Sequence, residues 1–223
     1  MQKIFRDNGL SIVLAVLFLV FLAAQAAAGF YHYNSEQQDH GQPTVEFTGY
    51  LATSHFMEAT MENWESEFLQ MFAFVVLTAF LFQKGSAESK DPEEEEEPVD
   101  RDPRKSRNKK DAPWPVRKGG LILTLYEHSL SLAFLLLFLM SFALHAVSGA
   151  AEYNETQREH GQYEEVSTLG YMGTSRFWFE SFQNWQSEFL AVGAMVVLTI
   201  FLRQRGSPES KPVDTPHGET GGQ

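Results

Sequence analysis

Two short motifs in this chain combine residue types that could do chemistry, and each occurs twice. Asn63-Trp64-x-Ser66-Glu67-Phe68-Leu69 returns as Asn184-Trp185-x-Ser187-Glu188-Phe189-Leu190. On a helix, Asn63 and Glu67 share a face at a spacing of four, with Trp64 beside them. Thr78 follows in nearly the same direction. The second copy repeats the arrangement with Asn184, Trp185, Glu188 and Thr199. A carboxylate so placed beside an apolar run could take up a proton or a cation. The same residues could instead cap a helix, bind loop backbone and anchor an interface. The other motif is Gln-x-x-His-Gly-Gln, with His40 and His160 as possible metal ligands beside Glu36, Asp39, Glu159 and Glu164. One histidine per loop makes a weak ligand set, because a metal site needs several converging donors. The alternative is a turn in which Gly41 and Gly161 supply an unusual φ.

These residues must be positioned by four apolar blocks, at residues 10–28, 68–82, 130–147 and 189–202. The first and third are long enough for a membrane span, at about 18–19 residues. The second and fourth are shorter, but each follows a polar, helix-compatible stretch, so each helix is expected to begin earlier. Gln25 and His145 interrupt the first and third blocks at equivalent positions. Both could reach the depth of the glutamates. The spacing therefore nominates a polar site of Glu67, Glu188, Asn63, Asn184, Trp64, Trp185, Gln25 and His145.

Charge orients the blocks. Residues 30–67 contain no Lys or Arg, and residues 150–188 contain only Arg158 and Arg176, out of 17 basic residues in the chain. By the positive-inside tendency, both termini and the central connection face the cytoplasm and both polar loops face outward. The first block, preceded by Lys3 and Arg6, could also be read as a signal peptide. Its length and its counterpart in the third block favour a retained span.

The two halves align at an offset of 120 residues, then 121. Matches include Tyr33-Asn34 with Tyr153-Asn154, Gly49-Tyr50 with Gly170-Tyr171, and Val75-Val76-Leu77-Thr78 with Val196-Val197-Leu198-Thr199. Each half holds an even number of spans, so the internal repeat is parallel. The organisation expected is a transmembrane hairpin at 1–83, a disordered charged cytoplasmic linker at 84–118, a second hairpin at 119–205 and a disordered cytoplasmic tail at 206–223. The linker carries an acidic run at 93–97 and then a basic run with Arg101, Arg104, Lys105, Arg107, Lys109 and Lys110. The fold class expected is an all-α integral membrane bundle of four transmembrane helices. The polar loops are expected to hold short helices near Gly49 and Gly170.

The chain has 223 residues, a net charge of −12 and no cysteine. An acidic chain argues against nucleic-acid partners. The lack of cysteine removes thiol nucleophiles and cysteine-bound zinc. No Ser-His-Asp order, phosphate loop or paired-histidine motif is present, so neither an enzyme nor a cofactor is expected. The partners expected are the lipid bilayer and a membrane or periplasmic protein.

The repeated Asn-Trp-x-Ser-Glu-Phe-Leu, with the His-Gly-Gln and Gly-Tyr residues of the loops, resembles an uncharacterised family of bacterial membrane proteins. It is a domain-of-unknown-function family with four predicted spans. The resemblance covers nearly the whole chain apart from linker and tail. It implies a bacterial inner-membrane location and no activity, substrate or catalytic residue. Three functions are open: a non-enzymatic scaffold or accessory protein, a small proton- or cation-linked transporter or channel using Glu67 and Glu188, and a metal-binding protein using the loop histidines.

Overall fold

The computed structural model describes residues 2–91, 93 and 98–221. Most of the acidic run, residues 94–97, lies outside the described residues, as do Pro92 and the last two residues of the tail. The described residues form helices and turns without a strand: α1 (Gln2–Asp39), α2 (Phe47–Tyr50), α3 (Ser54–Phe80), α4 (Trp114–Lys118), α5 (Gly120–Glu127), α6 (Ser129–Glu159), α7 (Thr168–Met172) and α8 (Ser175–Phe201). Three of them are long and apolar enough to cross a membrane, at Lys3–Asp39, Ser129–Glu159 and Ser175–Phe201. α3 falls short because Glu58, Glu62, Glu65 and Glu67 occupy its first half.

Local chemistry sets the helix ends. In α1, Asn8 leaves helical geometry (φ −135°, ψ 16°), and its Nδ2 donates to the carbonyl of Ile4. Such a side-chain bond competes with the helix ladder. α1 and α6 stop at a glycine in the left-handed region, Gly41 at φ 69° and Gly161 at φ 76°. Gln42 N–H donates back to Gln37 and Gly41 N–H to Gln38, and Gln162 and Gly161 do the same to Gln157 and Arg158. This pattern satisfies carbonyls that a helix end otherwise leaves open. It favours glycine because most L side chains are strained at that φ. At the starts of α3 and α8, Thr53 Oγ1 accepts from Phe56 N–H and Thr174 Oγ1 from Phe177 N–H, each at 3.3 Å. These threonines are N-caps. α2 and α7 are the short helices of the loops.

The chain divides into two compact units. The first comprises Met1–Met61 with Ala143–Phe177. Its interior is built on Tyr50, Tyr171 and Phe177, all essentially inaccessible to solvent, with Ala26, Ala146 and Ala150. Glycine permits this packing. A Cβ at Gly29 would collide with the Tyr50 hydroxyl, and one at Gly149 with the Tyr171 ring. Along α1 the apolar side chains from Leu10 to Phe21 are mostly exposed, Leu10 at 75% and Phe21 at 67%. A helix apolar all round and uncovered by its own chain suits a lipid environment.

The second unit comprises Glu62–Phe142 with Trp178–Gln223. Between α3 and α4 it holds two 3-10 turns, Pro98–Asp100 and Pro103–Ser106, the latter capped by Asp102. The chain after α8 has no helix among its described residues, yet its side chains are engaged. The Arg203 guanidinium donates to the carbonyls of Thr199, Ile200 and Leu202 at the end of α8, and to Pro212 and Thr215 beyond it. A cation there complements the negative helix terminus. The ammonium of buried Lys211 donates to the carbonyls of Pro216, His217 and Glu219.

Candidate functional site

In the first unit the repeated loop residues serve the backbone. Asn34 Nδ2 donates to the Val45 carbonyl at 3.1 Å, while its Oδ1 accepts from Val45 N–H at 2.8 Å. Asn154 makes the same pair of bonds with Val166, at 3.0 and 2.9 Å. One amide side chain thus replaces a strand partner for each loop. His40 and His160 lie in the turns at Gly41 and Gly161. Nδ1 of His40 is 2.9 Å from the carbonyl of Glu36, and Nδ1 of His160 is 2.8 Å from that of Thr156. The two rings approach to 5.9 Å between centroids, and His40 lies 3.8 Å from Glu159. The structure therefore brings the loop histidines together. Even so, the three-ligand grouping within this unit's described residues is a different one, His32, Glu36 and His55.

Glu152, Glu155 and Glu159 follow one another along a face of α6 at helical spacing. Ser54 Oγ donates to Glu152 at 2.9 Å and to Glu155 at 3.2 Å. Tyr33 donates to Glu155, and Gln37 Nε2 to Glu159, both at 2.9 Å. Each carboxylate receives neutral donors from α1 or from the start of α3, which ties the three helices together. Deeper in the unit, Tyr171 donates to the buried Glu58, and Arg176 lies 3.8 Å from the same carboxylate. Burial raises the Tyr50 hydroxyl pKa, and the charge of Glu152 adds to that shift. Tyr50 therefore stays neutral.

The nominated polar site divides between the units. Gln25 and His145 belong to the first. Gln25 Nε2 donates to Thr60 at 3.3 Å, and the His145 ring stacks on Phe177 at 4.9 Å. Glu67, Glu188 and the Asn-Trp pairs belong to the second. Glu67 and Glu188 lie near enough to feel each other's charge. Asn63 is exposed, and Trp64 meets Phe68 edge-on. Asn184 donates to Glu62 at 2.5 Å, and the Trp185 indole N–H to Glu65 at 3.0 Å. Glu65 is wholly buried. The motif's own spacing points to Glu67, while the buried partner is the intervening acid, Glu65. A signal for it exists. Glu62 and Glu65 become Gln183 and Gln186 in the second copy, so the halves differ at the acid that contacts the other motif.

A further recurrence lies just beyond the helices. Gln83-Lys84-Gly85-Ser86-Ala87-Glu88-Ser89-Lys90 returns as Gln204-Arg205-Gly206-Ser207-Pro208-Glu209-Ser210-Lys211. Both segments fold alike: Gln83 N–H donates to Ser89 Oγ at 2.8 Å and Gln204 N–H to Ser210 Oγ at 2.9 Å. Gly85 and Gly206 have φ of 87° and 85°. Ser86 and Thr199 share a buried hydrogen bond at 3.1 Å. Burial raises the Glu88 pKa, and the nearby charge of Glu209 raises it further. A search for hydrophobic blocks passes over these turns because they are polar.

Three helices of this length and apolarity, tied by polar side chains, are compatible with an α-helical membrane protein. The chain matches, over residues 1–222, the family described as Domain of unknown function (DUF6766), and it belongs to that family. No curated protein and no solved structure matches it.

Proposed function

We propose that this chain is a non-enzymatic multi-pass protein of a bacterial inner membrane, a scaffold or accessory subunit whose outer loops bind a membrane or periplasmic protein. In this reading α1, α3, α6 and α8 form two tandem hairpins with both termini in the cytoplasm. The matching caps Thr53 and Thr174, and the matching bonds of Asn34 and Asn154, support the duplication. One observation carries the functional reading. Asn34, Asn154, His40 and His160 are bonded to backbone at the loops, while the loops they stiffen leave Tyr163 81% and Leu169 79% exposed. Rigid loops presenting uncovered apolar and aromatic side chains suit recognition of a protein, because little ordering entropy is lost on docking. Photo-crosslinkers at Tyr163 and Leu169 in native membranes test it. A discrete protein adduct from these positions, and none from Val99 in the linker, is the expected result.

A second reading, a proton- or cation-linked transporter, is favoured by the electrostatic proximity of Glu67 and Glu188. In proteoliposomes, a proton or cation flux abolished by Glu67→Gln with Glu188→Gln would establish it and overturn the scaffold. Neither adduct nor flux would sink both.

A further inference from the structure

Outside the nominated site, three potential ligands converge in the first unit. His32 and Glu36 are one helical turn apart on α1, and His55 comes from the start of α3. One ligand atom from each lies within 4.8 Å of the others. His32 Nε2 is 3.7 Å from Glu36 Oε1, and the two imidazole rings are 6.1 Å apart at their centroids. We infer that His32, Glu36 and His55 form a binding site for one divalent transition-metal ion of the zinc class, joining α1 to α3.

The donor set suits such an ion. Two imidazoles and one carboxylate are borderline ligands that leave a fourth, open position in a tetrahedral site. An ion between atoms this close begins within about 1 Å of the roughly 2.0–2.2 Å bonds that zinc makes to nitrogen and oxygen, a gap that side-chain rotation closes. His55 has a partner that can orient it: its Nδ1 lies 3.2 Å from the Tyr50 hydroxyl, and in the tautomer where Nδ1–H donates to that oxygen, Nε2 is unprotonated and able to ligate an ion. Metal-bound histidines characteristically use their second nitrogen in this way. His32 and Glu36 are exposed and His55 half-buried, so the site is open to solvent.

An ordinary ion pair between His32 and Glu36 would account for the spacing on α1. It gives no reason for a second histidine to arrive from α3. Nor is the trio needed to build a hairpin. At the aligned positions of the second half stand Glu152, Thr156 and Arg176, which offer no comparable ligand set. The loop histidines differ as well, since neither belongs to a grouping of three potential ligands among the described residues.

The test uses the full chain, purified in detergent without a polyhistidine tag, stripped with chelator and titrated with Co²⁺ and then Zn²⁺. The expected result is about one ion per chain, with a visible Co²⁺ absorption band that Zn²⁺ displaces. His32→Ala or His55→Ala should weaken binding by more than the about 10–100-fold typical of outer-shell changes. Glu36→Gln should weaken it less, and His40→Ala with His160→Ala should leave it intact. Binding that survives His55→Ala, or is lost only with the loop histidines, overturns the inference. Should the variants misfold, carbethoxylation of the wild-type protein decides. Zn²⁺ should shield His32 and His55 and leave His40 and His160 reactive, and equal reactivity with and without Zn²⁺ overturns the site.

Discussion

Gly29 of α1 lies directly against the hydroxyl of Tyr50, so that a single methyl group at that glycine would occupy the space the tyrosine fills. Gly149 of α6 stands in the same relation to Tyr171. Ordinarily Gly→Ala inside a helix stabilises by about 0.5–1 kcal/mol. Here Gly29→Ala and Gly149→Ala should each destabilise by about 1–3 kcal/mol through overpacking. Gly193 in α8 provides the control, because a Cβ there meets nothing. Thermal unfolding in detergent should show Gly193→Ala neutral or stabilising and the other two lowered. All three shifting alike would refute the packing account.

The amide pairing of Asn34 with Val45 and of Asn154 with Val166 predicts loop loosening. Replacing either asparagine by alanine removes two partly buried hydrogen bonds and should lower stability by about 1–3 kcal/mol. Limited proteolysis between the turn and the short helix should accelerate. Asn→Asp, which keeps the acceptor but loses the donor, should fall between.

The glycines of the His-Gly-Gln turns are constrained by φ alone, since nothing lies within 4 Å of a Cβ at Gly41 or Gly161. Alanine at either should cost about 1 kcal/mol, and asparagine less, because asparagine tolerates the left-handed region. Amide hydrogen exchange at the ends of α1 and α6 would reveal it as selective fraying.

Trp185 and Glu65 can be separated by substitution. Glu65→Gln keeps an oxygen to accept the indole N–H and should be nearly neutral, matching the glutamine at position 186. Glu65→Leu or Trp185→Phe strands the other partner and should cost about 1–3 kcal/mol. Equal stability of Glu65→Leu and Glu65→Gln would remove the bond from the account.

Glu88 gives a pH-dependent outcome. Its pKa is raised in the fold, so the fold disfavours its charge, and this group's contribution is best below the unfolded pKa and lost as pH rises through the folded one. Glu88→Gln should therefore stabilise at pH 7, by less than about 1 kcal/mol since the site is partly solvated, and have no effect below about pH 4. Stability curves of both proteins between those values provide the check.

Much of the scaffold is legible in residue order because its causes are local. Apolar runs mark the long helices, His-Gly-Gln marks their ends, and Gly-Tyr marks the short helices of the loops. The candidate site is less legible. The repeated Asn-Trp-x-Ser-Glu pointed to Glu67 and Glu188, whereas the bonds of Asn184 and Trp185 run to Glu62 and Glu65. Spacing shows which residues share a helix face, but the identity of the facing residue depends on how two helices rotate against each other. The polar turns at 83–90 and 204–211 carry no hydrophobic signal, although their identity is plain once the segments are set side by side.

By itself, then, the amino-acid sequence determined the helical character, the apolar lengths suited to a bilayer and the polar turns, all of which follow from backbone chemistry and the hydrophobicity of neighbours within a few residues. Tertiary structure alone decided that His55 would reach His32 and Glu36, that three glutamates of α6 would take their donors from Tyr33, Gln37 and Ser54, and that Gly29 would yield its space to Tyr50. Those pairings join residues far apart in the chain. They are settled by the packing of one helix against another, a relation that no local run of residues encodes.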